Sequence, residues 1–517
     1  MRGGADNNTP RTTVTQYITA VAKLKSNIIY NFLGSGWQGV LTLAVTPVQV
    51  QILGIEAFGL IGLITVLQVL LGSLDFGISA SITKIISSDH SKDKAETANA
   101  INTASTMYWV IAVLIALLLW LSSEKIAQVW LTNTKLDAAT ITFSIEVIAV
   151  YLGLRWPVAF YSGVISGLQR MDILNLLKTG AHTLRLVGGV VVLLITPSLI
   201  AFLFWFAVCA ALELCAFAIA AYKLMPLLRI RPYFQFESWR NIWRYSLGMN
   251  LIAMTALLLS QADRVIISKL LSLEVLGIYS VAYNASIAIS LIQTAINSAS
   301  FPSFSHSFTS NRHTELVSSY NKASQLMGAC IALPTFMLIF FGEEIIQLWI
   351  NTKIAGKVAP TMAYLSFGFY LNSLVSTAYV MAIACGKPNL PLKTNALALV
   401  MYIPALIFLI PIYGTTGAAL AYIVLNFYYI IKFVPLVQSE STGQSMWQWL
   451  SSNLLPFFFT GVAAFGGWKL ILLVTSIHAP IAISLAVSTV MYAVLSWFLL
   501  SEALRASFKA LIKYPKV

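Results

Sequence analysis

Leu53-Gly54-Ile55-Glu56-Ala57-Phe58-Gly59-Leu60 returns about 218 residues later as Leu271-Ser272-Leu273-Glu274-Val275-Leu276-Gly277-Ile278. A second stretch, Glu124-Lys125-Ile126-Ala127-Gln128-Val129-Trp130-Leu131, is echoed by Glu343-Glu344-Ile345-Ile346-Gln347-Leu348-Trp349-Ile350. Gly167, Asn175 and Lys178-Thr179 then find partners in Gly386, Asn389 and Lys393-Thr394, with a small slip. Three echoes near one offset imply a duplicated unit. In a membrane chain, paired units of this kind enclose a substrate path between them.

The composition places the chain in a membrane. Hydrophobic residues make up 58% and charged residues 10%, against roughly 25% charged in soluble domains. Apolar runs of about 20 residues, enough to cross roughly 30 Å of hydrocarbon, recur along the chain. They predict fourteen spans, at about 27–52, 57–80, 99–121, 139–166, 176–196, 199–222, 246–270, 277–303, 324–345, 359–384, 394–412, 416–436, 453–475 and 481–500. Residues 1–22 are polar and carry Arg2, Asp6 and Arg11, so the first span is expected to remain as an anchor rather than be cleaved. Cys209, Cys215, Cys330 and Cys385 fall within apolar segments and read as small buried hydrophobes.

The net charge of +13 is a topology signal. With the N-terminus in the cytoplasm, basic residues collect on that side, from Lys23 and Lys25 through Lys84, Lys92, Arg170 and Arg229 to Arg505 and Lys516. The other side keeps mainly Lys125, Lys135, Lys353 and Lys357. Such an asymmetry puts both termini in the cytoplasm and leaves contact with anionic lipid, not nucleic acid, as the secondary role of the charge.

The echoes fall on matching spans. Each unit holds an even number of spans, so both enter the membrane in the same orientation, related by an axis along its normal. The expected organisation is a cytoplasmic segment 1–26, a first lobe 27–222, a basic linker 223–245, a second lobe 246–436, and an appendix 437–517 with spans 13 and 14. The linker, with Tyr233, Phe234, Phe236 and Trp239, reads as an interfacial helix or strap. Pro47, Pro157, Pro334 and Pro404 predict kinks inside their spans.

Ionisable groups within spans are costly and mark functional paths. Asp75 in span 2, Arg155 in span 4 and Arg185 in span 5 should lie at similar depth in the cytoplasmic half of the first lobe. Together they predict a net-positive pocket, with Asp75 as the available counter-charge. Arginine binds phosphate oxygens in a bidentate manner, which suits a pyrophosphate head group. Arg264 joins them as a further cationic candidate, beside Asp263 near the outer end of span 7; the structural reading of that pair is a local charge pair. Glu213, in span 6, Asp263 and Asp75 are candidates for carrying a coupling proton or sodium ion. Glu213 reads equally as a protonated carboxyl bonded to a neighbouring helix, and Lys269 and Lys469 as side chains reaching the outer interface.

No HExxH, phosphate-cradling loop, dinucleotide fingerprint or nucleophile elbow occurs, and no outer loop exceeds about 17 residues. An integral-membrane glycosyltransferase or polymerase needs an outer loop with residues placed for acid–base work. A transporter without a cofactor, and not an enzyme, is therefore expected.

The run from Phe58 to Ser87, with Leu74-Asp75-Phe76-Gly77-Ile78, resembles the bacterial polysaccharide transporters of the MATE-like (MOP) flippase superfamily, of the Wzx O-antigen type. Gly167-Leu168-Gln169-Arg170 followed by Asn175, and Ala262-Asp263-Arg264 followed by Gly277-Ile278-Tyr279, carry the same resemblance. It covers nearly the whole chain and implies an all-α polytopic fold of two six-helix lobes plus two C-terminal helices. It also implies that undecaprenyl-diphosphate-linked oligosaccharide repeat units are moved from the cytoplasmic to the periplasmic leaflet of the inner membrane. Alternating access around a cationic cavity, proton or sodium coupling, and partnership with a polysaccharide polymerase and chain-length machinery come with it. A drug exporter or peptidoglycan-precursor flippase of the same superfamily is the alternative. A cationic drug calls for a carboxylate-dominated cavity, whereas Arg155 and Arg185 outnumber Asp75 here.

Overall fold

The computed structural model describes residues 34, 36–73, 75, 77–87, 94–130, 134–476 and 479–513. The predicted segment 1–26, the opening of span 1, and His90 and His478 lie outside the described residues. Helix dominates what is described, and among those residues there is no strand. Twelve helices are long and apolar enough to cross a membrane, from Ile55–Gly72 to Ile481–Leu499. A helix over 36–53 and the helix Phe236–Leu270 stand at spans 1 and 7, in keeping with about fourteen. The chain is thus an all-α, multi-pass membrane protein. In hydrocarbon each helix satisfies its own backbone, which is why an apolar chain of this kind adopts no open sheet.

The breaks in the spans do not fall at Pro47, Pro157, Pro334 or Pro404. Helix runs on through Pro157, Pro334 and Pro404, and through Pro47 in 36–53. A proline removes a single hydrogen bond, and neighbouring helices make up the loss. Span 2 instead breaks between Ile55–Ser73 and Ile78–Ser87. Gly77 takes φ +72° in that break, and Asp75 caps the new helix by accepting from the Gly77 N–H at 2.7 Å. Span 8 divides near Ala288 into Leu273–Ile287 and Ile289–Thr309.

The two echoed octapeptides pack directly on each other. A Cβ at Gly59 would collide with the Leu273 carbonyl oxygen, and one at Gly277 would collide with that of Ile55. The contact is reciprocal, as a two-fold relation between the helices requires, and only glycine permits so close a crossing. The echoed tryptophans repeat the pattern. Trp130 donates through Nε1 to the Ser268 hydroxyl at 3.1 Å, and Trp349 to the Leu43 carbonyl at 3.1 Å. Lys269 reaches the Val129 carbonyl while Gln51 reaches that of Ile350. Lys135 Nζ lies 3.0 Å from Glu274, which also holds Lys357, while Glu56 accepts from Thr134 and from the Lys135 N–H.

One apolar core, including Leu41, Ile61, Leu276 and Tyr279, is shared across the crossing and continues through the second half of the chain to Trp449 and Leu504. A separate core, with Ile82, Tyr108, Phe160 and Phe217, holds spans 2 to 6 together.

The basic linker divides into two parts. Residues 225–235 form a non-helical strap, and the helix of span 7 begins at Phe236. Span 3 pins the strap through side chains: Asn102 donates to the Leu227 carbonyl and accepts from the Arg229 N–H, while Thr103 and Thr106 accept from the Gln235 and Tyr233 N–H groups. Spans 13 and 14 lean on span 9, where Trp449 donates to Ser324 and Tyr492 to the Ala329 carbonyl. Lys469 of span 13 pairs with Glu344.

Candidate functional site

A cleft of about 800 Å³ is walled by spans 1, 2, 4, 5, 6 and 7. Its lining residues recur at helical spacing. Lys178, His182 and Arg185 stand at i, i+4 and i+7 on span 5, and Arg155, Ala159 and Ser162 do the same on span 4. Three cations (Arg155, Lys178, Arg185) face two carboxylates (Asp75, Glu213), which leaves one positive charge in excess with histidine neutral.

Glu213 organises the site. Its Oε1 lies 3.2 Å from Arg155 Nη2 and its Oε2 lies 2.5 Å from Arg185 Nη2. Tyr151 completes a ring: its hydroxyl accepts from Arg155 at 3.2 Å and from Arg185 at 3.4 Å, and donates to Gln68 Oε1 at 2.7 Å. This corrects the expected counter-charge, because Glu213 and not Asp75 sits between the two guanidinium groups. Nor is Glu213 an isolated carboxyl. The depth argument placed Glu213 near mid-membrane but could not reveal that span 6 turns it toward spans 4 and 5.

The two arginines differ in exposure. The Arg185 side chain is 7% exposed and Glu213 4%, whereas Arg155 is 21% exposed. Arg185 is thus the buried strut, also accepting from Trp205 through its backbone carbonyl, and Arg155 is the member that meets the cleft. Arg185 Nε is buried without a hydrogen-bond partner among the described residues.

Asp75 stands apart from this cluster. It accepts from Gly77 N–H, from the Ser79 hydroxyl at 2.6 Å and from Tyr108 at 3.0 Å, so it lines the cleft as a helix cap. Arg264 and Asp263 lie elsewhere, in the second half of the chain. Arg264 donates to Gln261 Oε1 at 2.7 Å and covers the Tyr283 ring at 4.1 Å, while Asp263 accepts from the Arg264 N–H and the Tyr279 hydroxyl. The adjacent pair does not close on itself, since the Asp263 carboxylate meets its neighbour's backbone rather than its guanidinium. Arg264 does not line the cleft with Arg155 and Arg185, a correction to the grouping of all three.

Lys178 and His182 are cleft residues that the search for mid-membrane charges missed, as is Tyr151, buried behind the cleft against its arginines. Lys178 looked like a cytoplasmic loop charge, and the signal that reveals it is its i+7 spacing to Arg185. His182 faces span 1, with its Nε2 3.4 Å from the Thr42 hydroxyl.

The comparisons with known proteins agree with this architecture. The family model described as "Polysaccharide biosynthesis protein" matches residues 24–308. A Shigella flexneri protein provisionally named an O-antigen transporter is 20% identical over 405 residues, covering 77% of this chain and 93% of its own. Among solved structures, the lipid II flippase MurJ in an inward closed conformation superposes with a TM-score of 0.74 at 12% identity, covering 91% of this chain and 98% of MurJ. An inward-facing multidrug resistance MATE family transporter of the MOP superfamily gives 0.64 at 14% identity, over 78% of this chain and 95% of its own. The chain belongs to the polysaccharide biosynthesis protein family and has the fold of MOP-superfamily transporters.

Proposed function

We propose that the protein is a flippase carrying undecaprenyl-diphosphate-linked oligosaccharide repeat units from the cytoplasmic to the periplasmic leaflet of the bacterial inner membrane. The observation that carries this reading is the cleft's excess of cations, arranged around Glu213 with Arg155 facing the open space. A diphosphate entering there can displace Glu213 from Arg155, the more exposed and longer of its two ion pairs, while Arg185 keeps Glu213 in place. Bidentate capture by a guanidinium suits phosphate geometry, and the remaining positive charge draws an anionic head group in.

The lobes 27–222 and 246–436 then rock about the Gly59–Gly277 crossing, closing the cleft on one side and opening it on the other. Glu213 and Asp75 in the cleft, and Asp263 outside it, are the candidate carriers of a coupling proton or sodium ion. Membrane lipid, a polysaccharide polymerase and chain-length machinery are the partners this role entails.

Cells lacking the protein should accumulate lipid-linked repeat units on the cytoplasmic face and lose surface polysaccharide. Arg155→Ala should fail to restore export although the protein reaches the membrane. Normal surface polysaccharide in the deletion strain counts against the assignment, and full export by Arg155→Ala removes that residue from the substrate path.

A further inference from the structure

A second cavity, of about 500 Å³, lies among spans 7, 8, 10, 11 and 12, within the size range of small-molecule sites. Its chemistry differs from that of the cleft. Its one carboxylate, Asp263, is already engaged by the Arg264 N–H at 2.7 Å and the Tyr279 hydroxyl at 2.5 Å. The remaining polar wall is made of amides and hydroxyls. Each of four amides meets protein at one end: Gln293 accepts from Ser373, Asn297 donates to Ser376, Asn372 donates to Asn426, and Asn395 accepts from Tyr429.

Two buried acceptors or donors are left over. Asn297 Oδ1 and the Tyr402 hydroxyl have no hydrogen-bond partner among the described residues, and Tyr402 is only 2% exposed. A buried polar atom left unpaired is costly, and a ligand that pairs it recovers the loss. The same cavity is lined by aromatic rings, with Phe369 lying 5.5 Å from Tyr283 and 5.3 Å from Tyr422 between centroids. Amides and hydroxyls both give and accept hydrogen bonds, as sugar hydroxyls do, and aromatic faces pack against the C–H face of a pyranose ring.

We infer that this cavity is a binding subsite for an uncharged sugar ring of the cargo, separate from the cationic cleft that takes the diphosphate. Span 7 forms part of both walls, with Met254 in the cleft and Ser260 and Asp263 in the second cavity. One lipid-linked glycan can therefore be held by charge in the first half of the chain and by neutral hydrogen bonding in the second. This rests on the flippase reading above.

The test uses the purified full chain in lipid nanodiscs and two probes, undecaprenyl diphosphate and undecaprenyl-diphosphate-N-acetylglucosamine. The wild type should bind the sugar-bearing probe more tightly. Asn297→Ala and Tyr402→Phe should each weaken that probe about three- to tenfold, the scale of one hydrogen bond, and leave the sugar-free probe unchanged. Tyr402→Phe removes only a hydroxyl without a partner, so its thermal midpoint should not fall. Equal affinity of the wild type for both probes, equal losses for both probes, or unchanged binding of the sugar-bearing probe by both variants overturns the subsite. Arg155→Gln separates the two readings: undiminished binding of undecaprenyl diphosphate by that variant sinks the cationic-cleft reading, whatever the sugar-dependent difference shows.

Discussion

Glu213 holds two guanidinium groups with its two carboxylate oxygens, and this one side chain sets the charge state of the cleft. Removing one member of a buried pair leaves an uncompensated charge, at a cost of about 3–5 kcal/mol. Glu213→Gln should therefore lower the thermal midpoint of the purified protein more than Arg155→Gln does, because Arg155 is partly solvated and Arg185 is not. Replacing the buried pair together, Arg185→Met with Glu213→Leu, should recover much of the loss. Equal midpoints for Glu213→Gln and wild type would show that Arg185 finds another acceptor. The individual charges were visible in the sequence as rare ionisable residues in apolar runs. Their pairing was not, because helical depth gives a residue's height in the membrane and not the direction in which it points.

At the scale of the element, the echoed octapeptides were legible as a repeat, but their contact was not. Glycine recurs at Gly59 and Gly277 because two helix backbones meet there. An added methyl must push the helices apart, and overpacking of this kind costs about 1–3 kcal/mol. Gly277→Ala should accordingly destabilise the protein in a thermal melt. Gly467→Ala, at a helical glycine with open space around it, should leave stability level or raise it by about 0.5–1 kcal/mol. Equal responses of the two variants would contradict the close crossing. The turn before each octapeptide shows the limit of motif reading. Gly54 makes it in the left-handed region, at φ +84°, while its counterpart Ser272 makes it as a helix cap accepting from the Val275 N–H. The same fold element is reached with different local chemistry, so an echo imperfect in residues is complete in geometry. Proline marks a lost hydrogen bond, and the surrounding helices decide whether the element breaks; helix continues through Pro157, Pro334 and Pro404.

For the molecule as a whole, the crossing end is closed by contacts between the halves, which include the ion pair of Lys135 with Glu274. The hydrogen bond that Lys135 donates to Glu274 holds its ammonium above its ordinary pKa. The pair is therefore present at neutral pH; it is lost at alkaline pH as Lys135 deprotonates and at acid pH as Glu274, whose pKa Lys135 and Lys357 lower, takes up a proton. Lys135 is 81% exposed, so screening keeps the link weak. Lys135→Glu should shift the balance toward the state opened at this end by less than about fivefold, and Lys135→Glu with Glu274→Lys should restore it. Spin-label distances between the halves, measured at low and high salt, check both outcomes. An unaltered distance distribution in Lys135→Glu would assign the closure to the tryptophan and glycine contacts alone.

Apolar length, the run of charges along the loops and the recurrence at a fixed offset were enough to establish a helical membrane chain of about fourteen spans. Each of these is a one-dimensional property, written in the order of residues and enforced by the bilayer. Which helical faces meet is a three-dimensional property. It emerged only when span 6 carried Glu213 between Arg155 and Arg185, when span 5 aligned Lys178 with them, and when Gly59 met Gly277. Side-chain direction depends on how each helix is rotated about its own axis, and packing against its neighbours sets that rotation.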